Sequence, residues 1–378
     1  MNLVYFNSAA KSSVFDSQVL SLLEYYKKSN KFKQIILIFG YQNKTDIEWL
    51  TLKNMDGIKV LYYKTYPNYP FFNFLIRKNI KKLLISEPYL LENSIYHILG
   101  EINAYHFGFI ANQLNIPKER IVVDIRGVSW EEIKEFQDLK APLKKSKLNN
   151  VRKAILYLKR TDKISVVSKA LKLYLIYNWD INSKYIAVNN CLVSNDFSYS
   201  ENGRKNIRNE LGLTDQDILI VFSSGGLALW QNNDMILYLA ERGFKVLNLS
   251  RINYKHKNII NRFVSYFDMP AYLSAADIAF IWRKRSMVNK VASPVKFSEY
   301  VACGLPIIHN GTVDLVNEIT KKLSIGLLID DIIKLDNGAV IKLIHNTKRE
   351  EISKEGKQYF GLEKISSSYI NLYKYKIN

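Results

Sequence analysis

The sequence predicts an α/β protein of two domains, each a parallel sheet with helices on both faces. Short apolar runs, bounded by turn residues, recur along the chain and alternate with helical stretches, which is the pattern of parallel α/β units. The 378 residues, 48% of them hydrophobic, exceed what one core of usual size holds. Late in the chain a helix framed by Ser293-Pro294 and Gly304 feeds directly into a buried strand at 305–308.

Residues 3–6 form the first strand, and the small-residue loop 7–13 leads into a helix whose apolar stripe includes Val14, Val19, Leu20 and Leu23. No glycine-rich phosphate loop stands there, which disfavours a dinucleotide fingerprint. Further strands are expected at 34–39, 57–62 and 94–98. The strand at 121–127 ends in charged residues and glycine, where open α/β sheets place ligand-binding groups, so Asp124 and Arg126 are candidates. The other reading is a structural Asp–Arg pair closing a turn. His97 and Glu101 follow the same logic but rank lower. Strands at 164–168 and 186–190 finish the first domain, and the polar segment 194–209 reads as the linker, with the boundary at 191–205.

The second domain opens with a strand at 218–222 followed by Ser223-Ser224-Gly225-Gly226, where paired glycines let backbone approach a ligand closely. Arg251 follows a strand at 246–249, and Arg283 and Arg285 follow one at 278–282. In the helix after Pro294, Ser293 is the expected N-cap and Pro294 the first helical residue. Lys296 then sits in the first turn, where a lone cation opposes the helix dipole. An anion at the helix tip resolves that conflict, with three backbone N–H groups and an ammonium converging on a phosphate-sized target. Glu299, one turn on, can accept from sugar hydroxyls. The alternative is an i,i+3 surface ion pair. Asn310-Gly311-Thr312 makes another strand-end turn, and a last helix is expected near 362–375.

The stretch Ser293-Pro294-Val295-Lys296-Phe297-Ser298-Glu299-Tyr300-Val301-Ala302-Cys303-Gly304-Leu305-Pro306-Ile307-Ile308 resembles the donor-site signature of glycosyltransferase family 4, whose members have the GT-B fold. The segment 272–277 and the loop at Gly225-Gly226 also resemble that family, and Asp124 with Arg126 resembles a subset of bacterial surface-polysaccharide transferases. The resemblance implies two Rossmann-like doubly wound domains facing a cleft. An acceptor-side domain at 1–193 is joined by a C-terminal helix, 361–378, that crosses back to it, and 194–360 forms the donor domain. It implies a retaining, metal-independent, hexosyltransferase-type enzyme using a UDP- or GDP-sugar donor and a glycan or lipid-linked acceptor in capsule, O-antigen or similar polysaccharide synthesis. By the same resemblance Ser293, Pro294, Val295 and Lys296 hold the diphosphate, Glu299 binds ribose, and Asp124, Arg126 and Lys296 are the catalytic candidates. Gly225 and Gly226 form the donor loop. The family's first glutamate is here Val291, and the Arg and Lys that usually follow the glycine are missing until Arg242, which leaves Arg251, or Arg283 and Arg285, to supply the charge. A non-catalytic GT-B partner subunit, a polyanion-binding protein and a nucleotide-sugar epimerase are the competing readings.

Net charge is +19 with a pI near 9.5, which points to acidic partners. The basic residues are spread over both domains and no nucleic-acid module is recognisable, so nucleic acid is not expected. Residues 140–163 read as a basic amphipathic helix, with Lys140, Lys144, Lys145, Lys147, Arg152, Lys153, Lys159, Arg160 and Lys163 around Val151, Ile155, Leu156 and Leu158. A second aromatic and basic cluster lies at 69–82. Both are candidates for an anionic membrane surface, or else are solvated faces. No cofactor or metal is expected: Cys191 and Cys303 have no metal-ligand spacing, and no Asp-x-Asp pair stands at a strand end. A cytoplasmic protein, soluble or peripheral on the inner face of the cell membrane, fits the absence of a signal peptide and of a long apolar run.

Overall fold

The computed structural model describes residues 1–8, 13–53, 55–225 and 229–375. The chain divides into two compact units, Met1–Asn189 with Ser366–Asn378, and Asn190–Ile365.

In the first unit seven strands run parallel: β1 (Asn2–Asn7), β2 (Ile35–Tyr41), β3 (Lys59–Lys64), β4 (Ser94–Leu99), β5 (Ile121–Ile125), β6 (Lys163–Val166) and β7 (Tyr185–Val188). Their order is β3-β2-β1-β4-β5-β6-β7, a doubly wound sheet that reverses direction between β1 and β4. The continuous apolar run Leu3-Val4-Tyr5-Phe6 is wholly buried, because helices cover both faces of a parallel sheet. The C-terminal helix, Leu362–Lys374, contributes its last turns here: Tyr26 donates to the Ser366 carbonyl at 3.2 Å, and His97 Nδ1 lies 2.7 Å from the Tyr373 hydroxyl.

Three expectations about faces are corrected. Val14 is exposed although Val19, Leu20 and Leu23 are buried, because a π turn at Asp16–Leu20 adds a residue to the turn and shifts the stripe out of phase. The basic helix is Ala141–Tyr157, and Leu156 lies on its exposed side. Lys163 is no surface residue: it belongs to β6, is buried, and donates to the Tyr373 carbonyl at 3.2 Å.

The second unit repeats the scheme with β8 (Leu219–Ser224), β9 (Lys245–Ser250), β10 (Ile259–Asn261), β11 (Ile278–Ile281), β12 (Ile307–His309) and β13 (Gly326–Leu328), all parallel, in the order β10-β9-β8-β11-β12-β13. The polar stretch expected to be a linker carries the helix Glu201–Glu210. Its charges are not free: Arg204 and Arg208 grip Asp277 at 2.6 and 3.2 Å, and Asp277 also accepts the Leu219 N–H at 2.7 Å. That network fixes the N-terminal edge of β8 against β11. Among the described residues no helix is long and apolar enough to cross a membrane.

Candidate functional site

The second sheet changes direction between β8 and β11, and a crevice opens there beyond the strand ends, where α/β sheets bind ligands. Ser223 and Ser224 line it from the end of β8, Trp282 and Arg283 from just past β11, and Pro294, Lys296 and Tyr300 from the helix Val295–Ala302. That helix is held at both ends by its sequence. Gly304, at φ 72°, closes a Schellman turn in which the Leu305 N–H reaches the Tyr300 carbonyl at 3.0 Å and the Gly304 N–H reaches Val301 at 2.9 Å. A side chain at Gly304 would strike the Arg349 carbonyl.

Its start differs from the expectation. Pro294 is extended, with ψ 124°, and takes the cap position, so helical geometry begins at Val295. The Ser293 hydroxyl is occupied elsewhere, accepting the Cys191 N–H at 2.9 Å. The Phe297 N–H turns back to the Pro294 carbonyl at 3.0 Å, so two N–H groups, those of Val295 and Lys296, have no acceptor within the helix, rather than three.

Lys296 and Glu299 meet: Nζ lies 2.8 Å from Oε2, with the carboxylate side chain 3% exposed and the lysine 22%. The i,i+3 pair of the alternative reading therefore forms, but it is buried at the carboxylate end and open at the ammonium end. Arg283 stands in the same crevice. Its backbone is anchored by Asn310 Nδ2 at 2.7 Å and Thr312 Oγ1 at 3.2 Å, both donating to its carbonyl, which is the job of the Asn310-Gly311-Thr312 turn. Among the described residues its guanidinium has neither hydrogen bond nor carboxylate partner. Surrounding protein strips its water and lowers its pKa to about 10, so it remains charged at neutral pH.

Gly225 follows Ser224 directly, and Gly226 lies outside the described residues. Arg251 does not join the crevice lining; it is exposed over the Phe263 ring, 5.9 Å from its centroid. Arg285 is exposed as well. Val291 is buried. Sequence reasoning named Ser223 only as part of the run before Gly225, and it passed over Trp282 and Tyr300 because an apolar strand end and a helix aromatic carry no polar motif.

In the first unit, Asp124 sits at the end of β5 with its side chain 0% exposed, 2.7 Å from Arg126 Nε and 3.4 Å from His97 Nε2. Burial pushes its carboxyl up, but the Arg126 charge and the His97 contact outweigh that and hold it below the usual carboxylate range. His97 is kept neutral by burial and stacks on Tyr5, ring centroids 4.4 Å apart. Expected as a group reaching substrate, the Asp124 carboxylate has no surface; the structural Asp–Arg pair is what forms, and Arg126, 19% exposed, is its open member. Glu101 is buried too, and burial raises its pKa.

No protein-family model matches the chain, and no curated protein does. Solved structures do. A glycosyltransferase from Rickettsia africae ESF-5 superposes with a TM-score of 0.71 at 13% identity, over 99% of this chain and 97% of that one. Anabaena HepE in complex with UDP-glucose gives 0.68 at 13% identity, over 98% of both chains. The UDP-GlcNAc 2-epimerase from Neisseria meningitidis bound to UDP-GlcNAc gives 0.57 at 12% identity, over 98% and 99%. The chain has the GT-B fold.

Proposed function

We propose that the protein is a retaining glycosyltransferase that moves a hexosyl group from a nucleotide-diphosphate donor, UDP- or GDP-linked, to a glycan or lipid-linked acceptor in bacterial surface-polysaccharide synthesis. One observation carries the reading: at the switch point of the second sheet Arg283 and Lys296 line one crevice, and among the described residues Arg283 has no anion of its own. A desolvated cation without a partner is costly, and a diphosphate in the crevice offsets that cost. The neighbours bound to UDP-glucose and UDP-GlcNAc support a nucleotide-sugar as the ligand class.

In this reading the acceptor hydroxyl attacks the anomeric carbon on the face from which the nucleoside diphosphate departs. The C–O bond to the phosphate breaks as the acceptor oxygen bonds to that carbon, the hydroxyl proton leaves on the departing phosphate, and the charge appearing on the leaving group is met by Lys296, Arg283 and the N–H groups of Val295 and Lys296. Glu299, relieved of part of its pairing when Lys296 turns to the phosphate, accepts from ribose hydroxyls. Asp124 acts only through Arg126, fixing the guanidinium for the acceptor side. Cations of the protein take the place a divalent ion would have, so the reaction needs no metal. The protein works in the cytoplasm, peripheral on the inner leaflet.

The rival reading, a catalytically silent partner subunit, draws on Val291 at the position where the family signature has a glutamate. Incubation with nucleotide-sugars and no acceptor separates them: slow release of nucleoside diphosphate supports a transferase, and binding with no release in any donor or acceptor mixture contradicts it.

A further inference from the structure

The crevice of the second unit has a further wall, formed by the segment 230–233 between β8 and the helix Met235–Glu241. That segment is pinned beside Arg283. Gln231 pairs with Arg283 in an antiparallel bridge, and the Lys284 N–H donates to the Trp230 carbonyl at 3.3 Å. The buried Asn289 amide spans the two strands of chain, donating to the Trp230 carbonyl at 2.9 Å and to the Lys284 carbonyl at 2.8 Å. The far end is fixed as well: the Ile236 N–H donates to the Asn233 carbonyl at 3.3 Å, and the Tyr254 hydroxyl donates to Asp234 Oδ1 at 2.9 Å.

Two side-chain amides, those of Gln231 and Asn233, thereby enter the crevice lining. Their carbonyl oxygens differ. Gln231 Oε1 accepts from the Ser224 hydroxyl, whereas Asn233 Oδ1 is buried and accepts from nothing among the described residues. Arg283 lines the same crevice with donors and, among the described residues, no anion, so a carbonyl without a donor and a cation without an anion stand in one site and do not satisfy each other. Leaving such a buried acceptor unmet is costly, and a ligand that brings a donor removes the cost.

The occupant that answers both groups is an anion with an O–H or N–H close beside it. In a nucleotide-sugar, the nearest such group to the diphosphate is the substituent at C2 of the sugar, on the second carbon from the bridging oxygen. The ribose hydroxyls begin one carbon further away, and Glu299, on a different wall, is already assigned to them. We propose that Asn233 is a specificity-determining residue of the donor site, its Oδ1 accepting a hydrogen bond from the O–H or N–H at C2 of the transferred sugar. This rests on the transferase reading, which lays the diphosphate against Arg283 and Lys296. A site built to receive that hydrogen rejects sugars that lack it.

Folded wild type, Asn233→Leu and Asn233→Ala are to be titrated calorimetrically, without acceptor, with UDP, UDP-glucose, UDP-GlcNAc and UDP-2-deoxy-2-fluoroglucose. UDP-glucose carries an O–H at C2 and UDP-GlcNAc an N–H, so whichever the wild type prefers names the donating group. That ligand should lose about tenfold in affinity in both variants, the scale of a neutral hydrogen bond whose partner is left buried. UDP, which has no sugar, and the fluoro donor, which has no hydrogen to give at C2, should bind the variants as they bind the wild type. The alanine variant covers a failure of the leucine variant to fold. An equal loss for UDP overturns the proposal by placing Asn233 on the nucleotide, and an equal loss for the fluoro donor overturns it by making the residue a mere wall of the crevice. Unchanged affinity for all four ligands overturns it too, and removes this proposal alone. A wild type that binds none of the four sinks the transferase reading along with it.

Discussion

Tyr300 accepts the backbone N–H of Ser223 at 2.7 Å, and this bond joins the helix Val295–Ala302 to the end of β8 across the floor of the crevice. The helix and the strand end are far apart in sequence, and the bond ties them together beside the crevice. Burial holds the phenol protonated, and its oxygen is the acceptor the Ser223 N–H needs. Tyr300→Phe leaves that N–H buried and unpaired, which costs about 1–3 kcal/mol. Urea unfolding should show this loss, and UDP affinity should fall with it.

Arg283 should behave in the opposite way. Its charge is desolvated and has no counter-ion among the described residues, so a neutral side chain of similar length ought to be neutral or favourable for folding. Arg283→Met is expected to keep or raise the Tm while lowering affinity for UDP by about 1.5–3 kcal/mol, the scale of a charge-assisted hydrogen bond. A loss of both stability and binding would mean that the guanidinium serves the fold.

Much of this arrangement was legible in the sequence, and the exceptions have definite causes. Strands β1 to β9, β11 and β12 show as apolar runs because both faces of each sheet are covered. Strands β10 and β13 have three residues each and, unlike β12, no helix-ending glycine stands just before them. Gly304 announced the end of the helix Val295–Ala302 because the C′ position needs positive φ, whereas Ser293 misled as a cap because its hydroxyl had a tertiary partner, Cys191 N–H. Arg204 and Arg208 looked like solvated linker charges, and only the fold shows that Asp277 takes both. Arg283 and Arg251 were equivalent in the sequence. They separate because one follows the strand beside the switch point and the other follows β9, one strand further out.

Stability should fall in mild acid through His309. The residue is buried on β12, with Nε2 3.1 Å from the Thr320 hydroxyl and Nδ1 without a partner among the described residues. The Thr320 proton goes to the Val316 carbonyl at 2.7 Å, so the imidazole donates from Nε2 and is neutral. Burial lowers its pKa from 6.5 to about 4. Between those values the unfolded chain binds more protons, so the stabilisation is full above pH 6.5 and is lost as pH falls toward 4, by at most about 1.4 kcal/mol per pH unit. His309→Gln should flatten the slope of the unfolding free energy of the second unit between pH 6.5 and 5. An unchanged slope would assign the acid sensitivity elsewhere.

Turnover should survive EDTA. Arginine, lysine and the helix tip are assigned the leaving-group charge, so removal of divalent ions is expected to change the rate less than about twofold, well under the effect of losing one charge-assisted contact. Abolition by chelation, restored only by a divalent cation, would remove that assignment.

Titration calorimetry of UDP and of pyrophosphate into folded wild type, Lys296→Ala and Glu299→Gln tests the central claim most directly. Lys296 is assigned to the diphosphate and Glu299 to the ribose, so the two variants should fail differently. Lys296→Ala is expected to weaken both ligands by about 1.5–3 kcal/mol, and Glu299→Gln to weaken UDP while leaving pyrophosphate nearly as in the wild type. Unchanged affinity for both ligands in both folded variants would show that the Lys296–Glu299 pair is an internal ion pair of the helix and that the donor is bound elsewhere.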